Sequence, residues 1–531
     1  MTAVEPQAAG MSDRLVGQLA DLGGLEVTDG GATRGAVTVR VLPETLEEAT
    51  HAIAGTPGAR LADMFAGGSG GSPPRASTAA DNGGDALILR LVWAHDSGYL
   101  LTETEIGGDQ YPPLSDIAPA AFVEECEIYE QFAIRPATGK PLNRLMLPPH
   151  AGPDFPRLGD QPTEPLDEAH APHTVGGQAF EFPFGPVRQV GVESLYYGLV
   201  TSGEEVVDLY LFTWHKHRGL ERRMHGLVPA EALFYAERTE GLSAIGMSWA
   251  VAAAVEAALD VAPPPEAERT RGVALELERL YNHAAATAAL CQSCGLSVGQ
   301  SAAEIALEEF LRLNSAVFGH RYLFGVMATG GVRKAPDSAA LRDGLPRAYG
   351  ELRRAADALL STNSFLDRLE ATGILTGEQA ARLGLVGPVA RAAGVGADTR
   401  ADQPAAPYFE NRPAMAVREA GDALARFEVM LDEAADSVRL IGDLLGAGAG
   451  PGTVAVPVAG GTGLGWAESP RGEALAWVDL DGAGRIRRAR LRPASVRNWR
   501  GFDDACRSQN VFNDIPIIEA SFWLTVAGTA R

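Results

Sequence analysis

The residues best suited to chemistry lie in one polar segment between positions 211 and 256. His217–Glu221 (HRGLE) begins it, and Arg238–Ser243 (RTEGLS) leads into an Ala-rich helix. A carboxylate that is removed from water has a raised pKa and suits proton relay, which is one interpretation of Glu240. The alternative is a helix N-terminal Glu240 that is satisfied by the helix dipole and by Arg238. The segment therefore predicts an acid-containing site whose chemistry depends on what surrounds Glu240.

The four cysteines, Cys126, Cys291, Cys294 and Cys506, lack the number and spacing of a disulfide framework. Cys291 and Cys294 form a C-x-x-C pair, but such a pair supplies two ligands, whereas zinc and iron–sulfur sites usually take four. The other two cysteines lie in distant segments. We therefore expect the pair to be small core residues.

The charge of the chain excludes several partners. A net charge of −23 argues against nucleic acid and against direct docking on an anionic membrane surface.

The N-terminus has neither a basic leader nor an apolar core, so no signal peptide is expected. The longest apolar stretch, 249–262, contains Glu256 and Asp260 and is too short to span a bilayer. We expect a cytoplasmic protein that reaches a membrane only through other subunits.

The elements that must position the polar segment fall into two predicted domains. Residues 1–165 read as a small α+β domain, with strands near 36–42 and 86–93 and helices near 46–54 and 119–132. The Gly/Ser/Pro-rich stretch 67–84 reads as a loop, and 148–173 reads as a linker.

The second predicted domain, 175–531, begins with strand-rich sequence from 180 to 214. Long amphipathic patterns follow at 271–291, 301–318, 347–369 and 418–445, with a hairpin at 474–492 and a helix at 496–508. The fold class is therefore α+β: a small α+β domain followed by a mainly α-helical bundle with small β-sheets. A bundle of this size can hold a cofactor between facing helices.

Two segments of the first domain resemble the 30-kDa subunit of respiratory complex I. They are Glu125–Ile134 (ECEIYEQFAI) and Gly139–Pro148 (GKPLNRLMLP). Cys126 stands where that pattern has Arg, and Ala133 stands where it has Gly.

The second domain resembles the complex I 49-kDa subunit and, more closely, the large subunit of energy-converting nickel–iron (NiFe) hydrogenases. The ordered set of matching motifs carries the resemblance, since no single motif is specific. They are FGP (184–186), HRGLE (217–221), LERLYNH (277–283), GGV (330–332), GPVAR (387–391), DTR (398–400), GD with AR (421–426), SPRGE (469–473) and NDIPIIEAS (513–521). The resemblance implies two fused subunits, as in formate-hydrogenlyase large subunits, and a hydrogenase large-subunit-like fold.

The positions that would hold nickel depart from the family. The family places two C-x-x-C pairs around the metal, because thiolates hold nickel and the bridged iron. Here those positions carry Glu240, Ser243, Thr525 and Gly528. The resemblance therefore predicts that the NiFe centre is absent, that this chain binds no cofactor and that hydrogenase activity is lost.

The quinone chemistry of complex I is only partly retained. Arg188 stands where the family's G-P-x-H motif has its quinone-site His, and Gly241 stands where it has Tyr. The Arg and the acid of that element remain as Arg238 and Glu240. A quinone is thus a possible partner that the sequence leaves open.

The resemblance also suggests roles for the remaining polar residues. His217 and Arg218 match residues that face the iron–sulfur cluster of a partner small subunit, where a cation stabilises the reduced cluster. The alternative is a structural His-Arg pair tied to Glu221 or to the linker. Arg426 matches an Arg that faces the active-site cavity, so Arg238, Glu240 and Arg426 are the candidate cavity residues.

These observations predict a subunit of a membrane-associated oxidoreductase complex, related to NADH-quinone oxidoreductase and energy-converting hydrogenase. Its expected partners are an iron–sulfur small subunit and antiporter-like membrane subunits, on the cytoplasmic face of the membrane. Two functions remain open. Either the cavity passes electrons to a quinone-like or other acceptor, or the cavity is filled by Phe522, Trp523 and Leu524 and the chain is a scaffold. Whether the chain is an enzyme depends on this choice.

Overall fold

The computed structural model describes residues 25–26, 36–68, 86–96, 98–137, 141–148, 155, 157–159, 179–188, 193–507 and 509–531. Most of the predicted loop at 67–84 and most of the predicted linker at 148–173 lie outside these residues. The described part is a mixed α and β structure in which small sheets flank a large helical bundle. The predicted fold class is therefore confirmed.

The N-terminal part contains a five-stranded sheet and two helices. Its strands are β1 (Leu25–Glu26), β2 (Ala36–Val41), β3 (Arg60–Gly68), β4 (Leu87–His95) and β5 (Gly98–Ile106). The spatial order is β1-β2-β5-β4-β3, and β2 and β5 run parallel while the other pairs are antiparallel. Helices α1 (Leu46–Ala54) and α2 (Phe122–Phe132) supply Leu46, Ile53 and Ile128 to the core of the sheet. Short strands β6 (Gln110–Tyr111) and β7 (Arg135–Pro136) pair in parallel.

Three further sheets belong to the second part of the chain. The first contains β8 (Phe180–Phe184), β9 (Tyr196–Ser202) and β10 (Glu205–Phe212), and the second contains β11 (Met327–Ala328), β12 (Gly331–Val332) and β13 (Gly452–Thr453). The third is a meander of β14 (Gly461–Ser469), β15 (Gly472–Leu480) and β16 (Ile486–Arg492). The predicted hairpin at 474–492 is β15–β16, whereas the sequence patterns do not predict β14.

The helices of the bundle follow the amphipathic patterns of the sequence with shifted ends. They are α3 (Leu220–Met224), α4 (Pro229–Ala236), α5 (Ala244–Ala258), α6 (Pro265–Ser293), α7 (Ser297–Phe318), α8 (Ser338–Leu360), α9 (Asn363–Leu369), α10 (Gly377–Arg382), α11 (Gly387–Ala392), α12 (Thr399–Asp402), α13 (Ala406–Glu410), α14 (Ala423–Gly446), α15 (Ala494–Arg507), α16 (Ile515–Phe522) and α17 (Val526–Thr529). The single helix predicted at 347–369 is two, α8 and α9. Short 3-10 turns at 43–45, 114–116, 119–121 and 512–514 complete the described elements.

Local sequence signals explain several helix ends. Pro265 occupies the first turn of α6, where its missing N–H costs nothing. Asp422 caps α14 by accepting from the amide of Ala425, and Thr376 and Gln379 form the predicted capping box of α10. α14 therefore begins at Ala423 rather than at the predicted Arg418.

Helix α6 is the centre of the molecule. It lies against α7, α14 and α5, and its buried residues include Leu277, Leu280 and Tyr281. The N-terminal sheet packs onto the C-terminal meander through Phe65 and Trp477, whose ring centroids are 5.3 Å apart. Among the described residues no helix is both long and apolar enough to cross a membrane.

Candidate functional site

The turn before α5 places the polar segment against α6. Leu242 adopts a left-handed backbone with φ +63, and its carbonyl accepts from Tyr281 Oη at 3.1 Å and from Asn282 Nδ2 at 2.5 Å. The first amides of α5 donate to Glu278 of α6, from Ile245 at 2.6 Å and from Gly246 at 3.0 Å. Burial raises the pKa of Glu278 to about 7 although these amides oppose the shift. Glu278, not Glu240, therefore satisfies the N-terminus of α5.

Three of the four positions expected to carry nickel ligands come together in a direct contact. Thr525 Oγ1 donates to Glu240 Oε1 at 2.8 Å, and the amide of Gly528 donates to the same hydroxyl at 3.2 Å. A Cβ atom added at Gly528 would lie 2.5 Å from Glu240 Oε1 and 3.2 Å from Thr525 Oγ1. Since Glu240 is 3% exposed, its carboxylate fills space that a side chain at 528 would need.

Arg471, in the turn between β14 and β15, connects Ser243, the fourth expected ligand position, with Glu240. Its Nη1 donates to Ser243 Oγ at 3.0 Å and lies 4.0 Å from Glu240 Oε2. Its Nε donates to the carbonyl of Trp523 at 2.6 Å. Arg471 is thus the cation beside Glu240, a role that the sequence suggests for Arg238. The SPRGE motif was the available signal for it.

Bulky side chains pack around this group. Trp523 has φ +51, donates from Nε1 to Asn282 Oδ1 at 3.1 Å and lies 5.7 Å beneath the Arg471 guanidinium. Phe522 is 3% exposed and meets Phe502 edge-on at 5.6 Å, and Leu524 packs on the same hydrophobic cluster. The C-terminal segment therefore fills the region between α6 and α15 with apolar surface.

The position of Arg238 corrects the predicted set of cavity residues. Its side chain is 37% exposed, donates to the Phe234 carbonyl and Glu237, and lies between the rings of Phe234 and Phe324 at 3.7 and 4.5 Å. Arg238 lies two residues beyond the end of α4, and these contacts engage its guanidinium with residues other than Glu240.

Arg426 is buried, but the structure does not bring it to Glu240 either. It donates to Ser521 Oγ at 2.8 Å and to the carbonyls of Gly373 and Gly421 at 3.0 and 2.7 Å, and it lies 4.6 Å over the Phe522 ring. Burial lowers the pKa of Arg426 to about 9, so it stays charged at neutral pH. Its contacts hold α14, α16 and the 372–373 turn together.

Arg218 connects the 238–239 turn with α17 through hydrogen bonds to backbone carbonyls. Nη1 donates to Arg238 O at 2.8 Å, and Nη2 donates to Ala527 O at 2.6 Å and to Thr239 O. It thereby fixes the 238–239 turn to α17. The predicted contact of Arg218 with a partner's iron–sulfur cluster stays a prediction.

His217 lines a small separate cavity with Glu127, Glu221 and Arg531. The cavity volume is about 20 Å³, enough for one water molecule, and His217 Nδ1 is buried there with no hydrogen-bond partner among the described residues. Burial lowers the pKa of His217, so it is neutral at pH 7. A neutral ring would not supply the charge that the resemblance implies for this position.

The residues at the positions related to quinone binding are also engaged. Arg188 forms two hydrogen bonds with Glu519, at 2.8 and 3.0 Å, and Tyr197 donates to the same carboxylate at 2.5 Å. Burial raises the pKa of Cys291 to about 12 and that of Cys294 to about 11. Cys291 is a buried core residue as predicted, whereas Cys294 is only half-buried. In the described residues no group of three or more His, Cys, Asp or Glu is arranged to hold a metal ion.

The helical bundle with its flanking sheets matches a solved structure. That structure is the membrane-bound sulfane sulfur reductase, an archaeal respiratory membrane complex, in which one chain aligns with a TM-score of 0.63 at 23% identity. The alignment covers 68% of this chain and 100% of that one. The two chains therefore share a fold.

Family and sequence comparisons agree with this class. Residues 305–456 match the family described as the 49 Kd subunit of respiratory-chain NADH dehydrogenase. Formate hydrogenlyase subunit 5 of Escherichia coli (strain K12) is 27% identical over 445 residues, which cover 79% of this chain and 76% of that protein. The carbon monoxide-induced hydrogenase of Rhodospirillum rubrum is 28% identical, over 66% of this chain and 99% of that protein.

An NADH-quinone oxidoreductase component of Geobacillus thermodenitrificans (strain NG80-2) is 28% identical, over 60% of this chain and 90% of that protein. The chain is thus similar to complex I 49-kDa-type subunits and to related hydrogenase large subunits.

Proposed function

We propose that this chain is a non-catalytic scaffold or coupling subunit of a membrane-associated oxidoreductase complex, and that it holds no NiFe centre. The observation that carries the proposal is the mutual fit of Glu240 and Gly528. Glu240 Oε1 would lie 2.5 Å from a Cβ at 528, so a cysteine there and this carboxylate could not occupy the site together without movement.

The donor set supports the same conclusion. A nickel–iron centre takes four thiolates, and a carboxylate, two hydroxyl groups and a glycine do not replace them. The polar atoms present already bind one another, since Thr525 donates to Glu240 and Arg471 donates to Ser243. The positive charge of Arg471 lies where it offsets Glu240.

Electron transfer to a quinone-like acceptor is the alternative function. Ligand pockets of that kind have volumes of roughly 300 Å³ or more. The cavity beside His217 is about 20 Å³, and Trp523 packs against Arg471, the cation that lies 4.0 Å from Glu240. These dimensions favour the scaffold over the acceptor site.

In this proposal the chain binds an iron–sulfur small subunit and, through it, antiporter-like membrane subunits on the cytoplasmic face of the membrane. The face beside His217 and Arg218 is the expected contact with the small subunit. An acidic chain with a net charge of −23 suits a basic partner surface.

The test is purification of the intact complex by a tag on this chain, followed by metal analysis and identification of the co-purified subunits. We expect iron from the small subunit and only trace nickel. Stoichiometric nickel would overturn the proposal, and so would the absence of any iron–sulfur subunit.

A variant pair tests the contact face. His217→Ala should reduce recovery of the small subunit, whereas His225→Ala, an exposed histidine at the C-terminal end of α3, should not. Saturable binding of a quinone analogue that depends on Glu240 would support the alternative function instead.

A further inference from the structure

A buried ion-pair cluster joins α6, α14 and α11 to the end of strand β14. Four carboxylates in it share three guanidinium groups: Glu276, Asp398, Glu433 and Glu468 with Arg279, Arg391 and Arg400. Each of these residues is at most 3% exposed. With all of them ionised the cluster carries one surplus negative charge, which a poorly solvated interior disfavours.

The negative charges of three of the carboxylates are balanced by close guanidinium groups and hydrogen-bond donors. Arg400 lies 3.1 Å from both oxygens of Glu276, which also accepts from Tyr408 and Ser437. Asp398 binds Arg400 at 2.7 Å. Glu433 binds Arg391 at 2.5 Å, and its other oxygen lies 3.0 Å from His283 and 3.7 Å from Arg279.

The negative charge of Glu468 is the least well balanced of the four carboxylates. Among the described residues its one ion pair is with Arg391 at 3.0 Å, and Arg391 also binds Glu433 and Asp398. In the same part of the chain, its second oxygen accepts only from the amide and hydroxyl of Thr399, both at 3.1 Å. A hydroxyl can rotate to accept a hydrogen bond, so Thr399 can also serve a protonated Glu468.

The remaining neighbours do not neutralise Glu468. Arg279 donates to the backbone carbonyl of Glu468 at 2.7 Å rather than to its carboxylate. On the paired strand, Glu473 binds Arg60 at 2.6 Å and Arg492 in direct contact, and Tyr99 donates to it at 2.6 Å. On α6, burial lowers the pKa of His283, which leaves that ring neutral. On the cavity side, Asp96 and Asp402 add negative charge rather than positive.

A cavity connects Glu468 with the surface. Its volume is about 40 Å³, and it lies between the 58–60 and 94–96 segments of the N-terminal sheet and the 397–403 segment. Glu468 and Asp398 line its inner end, and the exposed residues Gly58 and Asp96 line the same cavity. Asp402 is half-buried and lines the same cavity, and its carboxylate accepts a hydrogen bond from the amide of Asp398 at 2.9 Å.

We propose that Glu468 is a proton-exchanging site: it holds the one proton that the cluster retains and exchanges it with solvent water through this cavity. Release of the proton places an uncompensated charge at the junction of the N-terminal sheet and the bundle. The site can therefore make the packing of that junction sensitive to pH. This inference does not depend on the scaffold function or on the absence of nickel.

The pKa values of Glu468 and of Glu473 on the neighbouring strand agree with this geometry. Burial, and next the charge of Asp398, raise the pKa of Glu468 to about 7. For Glu473, burial opposes ionisation, yet Arg60 and Arg492 lower the pKa to about 2. The two acids stand directly opposite each other in the β14–β15 ladder, so Glu473 is a matched control.

The experiment is an infrared titration of the carboxylic acid C=O stretch in the full-length chain between pH 5 and 9. We expect the wild type to lose buried-acid absorbance with a midpoint near pH 7, of which Glu468 supplies one part and other buried acids such as Glu278 supply the rest. Glu468→Gln should reduce the amplitude of this component by the share of one carboxylic acid, and Glu473→Gln should leave the amplitude unchanged. Gln is close in shape to protonated Glu, so Glu468→Gln is expected to fold.

A second variant keeps the proposal testable if Glu468→Gln fails to fold. Asp398→Asn removes the nearest negative charge and should move the midpoint to lower pH. The proposal is overturned if the component persists unchanged in Glu468→Gln, if its amplitude falls equally in Glu473→Gln, or if Asp398→Asn leaves the midpoint where it was.

Discussion

The fit between Gly528 and Glu240 gives a prediction that can be made quantitative. In Gly528→Ala the new Cβ would meet Glu240 Oε1 at 2.5 Å and both Ser495 Cβ and Thr525 Oγ1 at 3.2 Å. The first distance is about 1 Å inside an ordinary contact of roughly 3.5 Å. Overpacking of a buried site of this kind costs about 1–3 kcal/mol. We expect local stability around α17 to fall by that amount.

Amide hydrogen exchange measured by mass spectrometry over residues 523–531 is the assay. A loss of about 1–3 kcal/mol corresponds to exchange that is roughly 5- to 150-fold faster, provided that opening is local. Gly442→Ala is the control, since Gly442 lies on the exposed side of α14 and a Cβ there meets nothing within 4 Å. That control should stabilise its helix by about 0.5–1 kcal/mol.

The double variant Glu240→Ala/Gly528→Ala identifies the cause. Removing the carboxylate frees the space that the new methyl needs, so the double variant should recover at least about 1 kcal/mol relative to the sum of the single variants. If Gly528→Ala exchanges like the wild type, or if the two changes are additive, Glu240 does not occupy the space of a ligand at 528.

Three further changes test other parts of the site. Asp402→Asn should remove a pH-dependent loss of stability: burial raises the pKa of Asp402 to about 6, so the wild type loses stability as pH rises from about 4 to 6. After discounting for partial exposure, the variant should gain about 1 kcal/mol at pH 7 in urea unfolding and nothing below pH 4. Arg426→Met should cost about 3 kcal/mol in the same assay, because buried carbonyls lose their donor, and an unchanged urea midpoint would contradict this role. Glu519→Gln leaves Arg188 without its charge partner and should speed amide exchange in β9 by about tenfold, whereas unaltered exchange would show that the pair is not structural.

Local sequence patterns are sufficient to predict most of the helices and strands. Alternating and amphipathic sequence predicted β4, α1, α6 and the β15–β16 hairpin, because side-chain periodicity follows directly from strand and helix geometry. Strand β14 was missed because its sequence, GTGLGWAES, is rich in Gly. Those glycines fit against α5, where a Cβ at Gly463 or Gly465 would lie 2.1 or 2.2 Å from the α5 backbone. This packing cannot be read from β propensity.

The sequence by itself predicts that Glu240, Ser243, Thr525 and Gly528 stand where the resemblance places thiolates, because residue identity at motif positions needs no coordinates. Only the tertiary structure decided which cation accompanies Glu240. Residues 238 and 471 are both arginines in matching motifs. However, backbone direction at the end of α4 turns Arg238 toward Phe234 and Phe324, while the β14–β15 turn aims Arg471 at Ser243.

The fit of Glu240 against Gly528 and the charge surplus around Glu468 likewise depend on contacts between segments that are far apart in the chain. Glu240 meets Thr525 across 285 positions, and Glu468 meets Arg391 across 77. Packing distance and shared charge are properties of the folded arrangement, so motif spacing could indicate which residues take part but not how they satisfy one another.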